Sequence, residues 1–390
     1  MKKNWMKVVV VALSCMMVFA MTGCGGGGGG TFTGDADALK IGSAGPLTGP
    51  AALYGIAVQK GAQLAVDEIN ASDPAFKLDF GMQDDEHDPE KSKNAFNKLM
   101  DDGMQVLVGT VTTAPCTEVA TLAYESRVFA LTPSASGPAV TQNNDNVYQL
   151  CFSDPNQGIA VADYIATNYP SAKVGIIYNN GDNYSQGIYQ KFKSEYEAKG
   201  KTVVAEATFP SDDNPDFSSQ LTTMKDAGAD MLFLPIYYTP ASNIMTQADN
   251  VGYKPTYFGV DGMDGILDIE NFNTNLAEGV LLLTPFTPYS EDEKVQAFVK
   301  AYEEKYGEKP IQFAADAYDC VYAIYDAFQK TGCTTADDAA TICEKLIEVF
   351  NGGYEFKGGL TGDSMKWSKT GEVNKTPKVC EIKDGKYIEK

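Results

Sequence analysis

The sequence predicts an α/β protein of two lobes, each built on a mainly parallel sheet flanked by helices. Three observations carry this reading. Segments of strand period and helix period alternate from residue 39 onward. The alternation runs through two successive series. The strand ends lead into loops rich in glycine, proline and hydroxyl residues, as in sheets whose strands return through helices.

In the first series, residues 40–44 form a short strand. Residues 54–72 have helical apolar spacing through Val58, Ala62, Ala65, Val66 and Ile69. Leu78, Phe80 and Met82 alternate with polar or small residues, which is strand period. A helix over 89–101, a buried strand over 106–109, a helix over 118–126 and a strand over 128–131 complete a βαβαβα run. The second series reads as helix 157–168, strand 173–178, helix 187–199, strand 202–207, helix 217–227, strand 231–234, helix 241–251 and strand 256–259. The tail carries helices over 292–306, 314–331 and 335–350. It ends in a hairpin, 379–382 with 386–388, about Asp384-Gly385, a two-residue turn signal. This tail must pack on one or both lobes.

The 390 residues are long for one domain and comfortable for two. The net charge of −21 repels nucleic acid and anionic lipid head groups, so no nucleic-acid partner is expected. Arg127 is the single arginine and His87 the single histidine. An anionic ligand must therefore be held by hydroxyls, backbone N–H groups, helix N-termini or lysine. His87 lies in the acidic run Asp84-Asp85-Glu86-His87-Asp88 and reads as a solvated loop residue, which leaves no histidine-based nucleophile system. No mixed Cys/His spacing suggests zinc, and neither a metal nor a cofactor is expected. Ser/Lys or paired-acid chemistry stays open beside binding and sensing, since lysine, aspartate and glutamate are plentiful.

The N-terminus reads as an export signal. Lys2, Lys3 and Lys7 precede an apolar stretch, residues 8–21, too short for a membrane span of about 20 helical residues. Met21-Thr22-Gly23-Cys24 resembles a bacterial lipobox, which implies lipidation of Cys24 and anchoring to the outer face of the cell membrane, or to a periplasmic face. Residues 1–23 are then the signal and 24–38 a glycine-rich tether reaching roughly 20 Å. Cys15 and Cys24 belong to this region. Cys116, Cys151, Cys320, Cys333, Cys343 and Cys380 remain, with disulfides permitted outside the cytoplasm and free buried thiols equally consistent with a core this large. A bridge between Cys320 and Cys343, joining two tail helices, is the pairing expected.

Ligands of open parallel sheets bind beyond the carboxyl ends of the strands. In the first series those loops are Gly45-Pro-Leu-Thr-Gly-Pro50 leading to Tyr54, Thr110-Val-Thr-Thr-Ala-Pro115 and Thr132-Pro-Ser-Ala-Ser-Gly137. Hydroxyls at a helix start can hold a carboxylate without arginine, and they also serve as ordinary N-caps. In the second series the loops are Tyr178-Asn-Asn-Gly-Asp-Asn-Tyr184, Pro235-Ile-Tyr-Tyr-Thr-Pro240 and Gly259-Val-Asp-Gly-Met-Asp264. Aromatic faces with a carboxylate suit an ammonium group, although each tyrosine alone also suits a core. Together the two rims suit a zwitterion.

Gly45-Pro-Leu-Thr-Gly with Tyr54-Gly55, Asp84-Asp85 with Asp88-Pro89, Leu131-Thr-Pro-Ser-Ala-Ser136 and Gly358-Gly-Leu-Thr-Gly362 resemble the branched-chain amino-acid-binding proteins of ABC transporters, from about Leu39 to the end. The resemblance implies the type I periplasmic-binding-protein fold, two α/β lobes joined by three crossovers, with lobe one at 39–154 plus 285–363 and lobe two at 155–284 plus 364–390. It implies Thr113 on the ligand carboxylate, and Ser134 and Ser136 on carboxylate and ammonium. It implies Asp261 as the acid on the ammonium, Tyr184 and Tyr237 closing the site from lobe two, and Tyr54, Val111 and Phe313 lining the side-chain pocket. His87 and Thr112 stand at the two cysteine positions of a first-lobe disulfide in the leucine/isoleucine/valine-binding protein, so that bridge is absent. The implied function is capture of an aliphatic, branched-chain amino acid by a monomer and delivery to membrane permease subunits served by a cytoplasmic ATPase. A flytrap receptor subunit sensing amino acids or related amides is the alternative.

Overall fold

The computed structural model describes residues 31–214 and 216–390. Residues 1–30, on which the expected export signal, Cys24 and the glycine run fall, lie outside the described residues. The first series contains β1 (Ala38–Gly45), α1 (Ala52–Ala71), β2 (Lys77–Asp84), α2 (Pro89–Asp101), β3 (Val106–Val108), α3 (Thr113–Glu125), β4 (Phe129–Thr132) and β5 (Val147–Gln149). The five strands pair in parallel in the order β2-β1-β3-β4-β5. Ahead of β1, Asp79 accepts the N–H groups of Thr33 and Gly34, so these residues of the expected tether are held against β2.

The second series contains α4 (Asp154–Asn168), β6 (Val174–Asn179), α5 (Asn183–Ala198), β7 (Ala205–Phe209), α6 (Ser218–Asp226), β8 (Met231–Leu234), α7 (Tyr238–Asn250), β9 (Thr256–Gly259) and β10 (Leu281–Thr284). After β10 the chain returns to the first sheet as α8 (Glu293–Tyr306), α9 (Gln312–Phe328) and α10 (Ala339–Asn351), then a two-stranded ribbon, β11 (Glu355–Lys357) and β12 (Ser364–Lys366). It closes with β13 (Lys378–Lys383) and β14 (Lys386–Glu389). The second sheet runs β14-β13-β10-β9-β8-β6-β7, with only the C-terminal hairpin antiparallel. In both sheets the first strand of the series sits between the second and third. Each sheet therefore has a switch point where two neighbouring loops part, a natural place for a ligand.

Close packing fixes the returning helices. A Cβ on Gly61 of α1 would stand 2.0 Å from the Ala314 carbonyl oxygen, so glycine lets α1 and α9 touch backbone to backbone. Phe350 of α10 packs on Phe129 and Tyr148 at 4.9 and 4.8 Å between ring centres. Burying one such ring contributes about 1.5–3 kcal/mol. The stretch after β12 also stays on the first sheet. Trp367 Nε1 donates to the Gln149 carbonyl at 2.8 Å, and the Gln149 N–H donates to Gly371. Buried Lys375 pairs with Asp316 at 2.9 Å and donates to Thr361 Oγ1 at 2.7 Å. The chain thus crosses to the second sheet between Lys375 and Lys378, later than residue 364. The Gly358–Gly362 loop is explained by the same anchor: Asp319 accepts the N–H groups of Leu360 and Thr361, both at 2.9 Å.

The six described cysteines are free. Cys320 and Cys343 do not pair as expected. Cys320 is buried beside Asp316, Asp319 and Lys375, whereas Cys343 lies beside Arg127 and Asn146. The two thiols face different neighbourhoods although their helices touch.

Candidate functional site

The loop after β1 and the start of α1 meet the loops after β8 and β9, and the turn after β2 meets the loop after β7. Asp84, at the end of β2, organises the first rim: its Oδ1 accepts the N–H groups of Leu47 (2.8 Å) and Glu86 (3.0 Å), and its Oδ2 the Thr48 hydroxyl (2.7 Å). The glycine-proline loop and the acidic turn are thus tied together, and Tyr54 emerges from the first turn of α1. At the second rim, Asp182 caps α5 through the N–H groups of Tyr184 and Ser185, placing Tyr184 in the first helical turn. Tyr237 occupies the cap position of α7. Asp261 opens a 3-10 turn directly after β9.

These side chains converge. The Tyr184 ring stacks on Tyr237 at 4.8 Å and 21°. Its hydroxyl donates to Asp261 Oδ1 at 2.6 Å and accepts the Gly262 N–H at 2.9 Å. Gly262 is required here, since a Cβ would stand 2.6 Å from that hydroxyl. Tyr54 crosses from the other lobe, its ring 4.5 Å from Phe313 and 5.4 Å from Tyr237. Its hydroxyl donates to the Gly262 carbonyl and accepts the Tyr238 N–H at 3.3 Å. The Leu53 N–H donates to the Tyr238 hydroxyl at 3.1 Å, and Thr239 Oγ1 donates to the Pro50 carbonyl at 2.7 Å. The lobes are closed on one another, and every sequence-predicted site residue is at most 6 % exposed.

The hydroxyl residues of the first lobe divide into two groups. Ser134 Oγ donates to the Val111 carbonyl at 2.6 Å, and Thr132 Oγ1 donates to the Thr110 carbonyl at 2.7 Å, so these two hydroxyls join the loops after β3 and β4. Ser136 Oγ and Thr110 Oγ1 are buried without a hydrogen-bond partner among the described residues. Thr113 is buried in the first turn of α3, its methyl group turned toward Gly137. Val111 packs against the end of β1, where a Cβ on Gly45 would meet it at 2.3 Å.

Two residues that sequence reasoning did not single out belong to the same place. Asp154 begins α4 at the first crossover, fully buried, with neither carboxylate oxygen hydrogen-bonded. Added Cβ atoms on Gly137 and on Gly187 would each stand 3.4 Å from its Oδ2, so backbone from both lobes surrounds it. Gln157, one turn on, accepts the Asp261 N–H through its Oε1 at 3.1 Å, and its Nε2 makes no hydrogen bond among the described residues. The only sequence signal was a Ser-Asp-Pro helix start, which reads as ordinary capping. Burial raises Asp154 well above the usual carboxylate range and lifts Asp261 to about 6. Burial also pushes Tyr184 upward, so its phenol stays a proton donor at neutral pH.

His87 is not the solvated loop residue expected. Its ring meets Tyr237 edge to face at 5.6 Å, its Nδ1 is 2.8 Å from Thr112 Oγ1, and its Nε2 is 3.5 Å from Asp212 Oδ2 on the other lobe. Thus the two positions that lack a disulfide are still joined, by a hydrogen bond. The site as a whole is acidic, with Asp154, Asp182, Asp212 and Asp261 gathered around buried aromatics. Unpaired buried polar atoms cost about 1–3 kcal/mol each. A guest that offers a cation to the acids and an anion to the hydroxyls and helix starts would satisfy them.

Comparison with known proteins agrees with this architecture. Residues 38–386 match the family model described as periplasmic binding protein, and the chain belongs to that family. It is 29% identical over 357 residues to a Leu/Ile/Val-binding protein homolog of Brucella melitensis, covering 90% of this chain and 93% of the relative. It is 30% identical over 313 residues to the Leu/Ile/Val-binding protein BraC3 of Rhizobium johnstonii, covering 79% and 83%. Among solved structures, the branched-chain amino acid transporter substrate-binding protein LivJ of Streptococcus pneumoniae, in complex with isoleucine, superposes with a TM-score of 0.80 at 28% identity, covering 90% of this chain and all of that one. No helix among the described residues is long and apolar enough to cross a membrane.

Proposed function

We propose that the chain captures an aliphatic α-amino acid, of the branched-chain class, between its lobes and presents the closed form to an ABC permease. The observation that carries this reading is the set of buried polar atoms without a hydrogen bond among the described residues around the Tyr184–Asp261 pair: Ser136 Oγ with the two oxygens of Asp154 beside it, and Gln157 Nε2 next to Asp261. Acids on one side fit an ammonium group. Hydroxyls and the start of α3 on the other fit a carboxylate. Tyr54, Phe313 and Val111 supply apolar surface for the ligand's side chain. Ser134 acts through its backbone and by holding the Val111 loop, while Thr113 and Ser136 take the carboxylate side. Relatives named for leucine, isoleucine and valine support the same class.

The lobes open and close as units in this reading, divided as 39–154 with 285–375 and 155–284 with 376–390. The ligand stabilises the closed state by contacts it makes only there. The protein works as a binding component and not as an enzyme. The test is calorimetric titration with leucine, isoleucine, valine and benzoate. Heat from the three amino acids and none from benzoate is expected, because benzoate offers no cation to Asp154 and Asp261. Benzoate binding without amino-acid binding overturns the assignment. The lipobox-like Met21-Thr22-Gly23-Cys24 supports anchoring through a lipid on Cys24. A Cys24→Ser protein that stays in the membrane fraction would refute the anchor.

A further inference from the structure

His87 is the one histidine of the chain, and it connects three elements that have no other reason to share a residue. It lies in the turn before α2, held there by the Asp85 carboxylate, whose Oδ1 accepts the His87 N–H at 2.9 Å. Glu86 and His87 both adopt positive φ, 51° and 61°, a conformation that side chains rarely take. Toward its own lobe, Nδ1 meets Thr112 Oγ1, at the cap of α3. Toward the other lobe, Nε2 faces Asp212, whose other oxygen accepts Asn179 Nδ2 at 2.9 Å. Beside it stands Tyr237, the aromatic residue stacked on Tyr184.

We propose that His87 and Asp212 form a proton-dependent clasp between the lobes, so that protonation of one imidazole favours the closed, ligand-holding form. The inference rests on the capture reading above, because it needs an open form in which the two residues part. The charged groups that face the ring are Asp212 and Asp182 from lobe two and Asp85 from its own turn; no lysine or arginine is among its principal charged neighbours. Burial works against the imidazolium, but these carboxylates prevail and the histidine is held above its ordinary value. In the open form Asp212 and Asp182 move away and the ring returns toward that ordinary value. The sign follows by linkage. A group whose value is higher in the closed form favours closure below its open-form value. That preference fades as pH rises through the closed-form value. Thr112 accepts from Nδ1–H in the charged state and donates to Nδ1 in the neutral one, so the clasp can discharge without losing its inner hydrogen bond.

A single histidine gives a single imidazole resonance in tag-free protein, so the clasp can be read directly. Its titration is followed by NMR with and without saturating L-leucine, in the wild type and in Asp212→Asn. The expected result is a midpoint higher by about 0.5 pH with leucine, a displacement abolished in Asp212→Asn. Protonation of Asp261 itself weakens ammonium binding near pH 6, so the affinity profile is read as a difference. Between pH 7.5 and 5.5, wild type should gain affinity relative to His87→Gln by about threefold, the linkage counterpart of that displacement. Glutamine keeps a hydrogen-bonding side chain at 87 without the charge. Leucine binding with an unmoved resonance, or identical profiles for wild type and His87→Gln, overturns the clasp and leaves capture standing. If no amino acid binds at all, the capture reading fails and the clasp fails with it.

Discussion

The rims of the two sheets face each other across one cleft, yet they are made of different chemistry. Around the candidate site the loops after β3 and β4 of the first present Val111, Thr113, Ser134 and Ser136, which are small and neutral. The second presents Tyr184, Tyr237 and Asp261, which are large, aromatic or charged, and stacked or hydrogen-bonded to one another. The strand order around each switch point is the same. What differs is therefore the loop content and not the scaffold. A neutral rim can receive a ligand while still open to water, whereas an acid-bearing rim gains most when closure removes water and strengthens its interaction with a cation. The first lobe is thus suited to hold, and the second to clamp.

Substitutions can break this division of labour, beginning with the charge. Asp261→Ala removes the counter-charge of the clamp and should weaken leucine binding by about 2–5 kcal/mol, with little change in the ligand-free melting temperature. Calorimetry showing unchanged affinity would leave the acid rim without its assigned role. Asp154→Asn sharpens the comparison because its two effects have opposite signs. Removing a buried, unpaired carboxylate should raise the melting temperature of the free protein, while leucine affinity falls by about 1–3 kcal/mol. A fall in both would make Asp154 a purely structural residue. On the neutral rim, Ser136→Ala should cost only about 0.5–1.5 kcal/mol of binding, the range of a single hydrogen bond. A loss as large as that of Asp261→Ala would erase the distinction between the rims.

The smallest effect is one of pH. Burial lifts Asp264 to about 7 and Asp85 to about 6. Both values exceed those of an unfolded chain, so between about pH 4 and 7 the native state holds more protons than the unfolded one. Stability should therefore rise as pH falls from 8 toward 5. Thermal unfolding across that range checks the sign, and a melting temperature that drops steadily on acidification would contradict it.

Much of this scaffold could be read from the sequence, and the failures fall in definite places. Strands such as Met231–Leu234 and Thr256–Gly259, and the helix Pro89–Asp101, follow directly from apolar period and end signals. The helices bearing site residues begin earlier than the periodicity indicates. α3 starts at Thr113, α5 at Asn183 and α7 at Tyr238. Their first turns face the cleft, not the core, and so lack apolar spacing. Strand β10, Leu-Leu-Leu-Thr at 281–284, and the three-residue β5, β11 and β12 were too short or too uniformly apolar to show a period. The aromatic and acidic loops of the second series were visible as a rim. Asp154 and His87 were not, because their significance comes from partners that only the fold supplies. His87 and Asp212 are 125 positions apart, and nothing local marks them as neighbours.

One consequence lies in the order in which the protein is made. Strand β13 pairs with β10 through Leu281↔Glu381 and Leu282↔Cys380, and β14 forms the outer edge of that sheet. The second lobe is interrupted by three helices and a ribbon belonging to the first, and it is completed only by residues 378–389, which follow all of them. Synthesis reaches those residues only after the whole of the inserted segment. The first lobe also waits, for α8 to α10 and for Lys375. Neither half can finish folding before the segment shared between them has been made, so the two lobes complete their folds together and not one after the other. Loss of the last dozen residues would leave β10 with an unpaired edge.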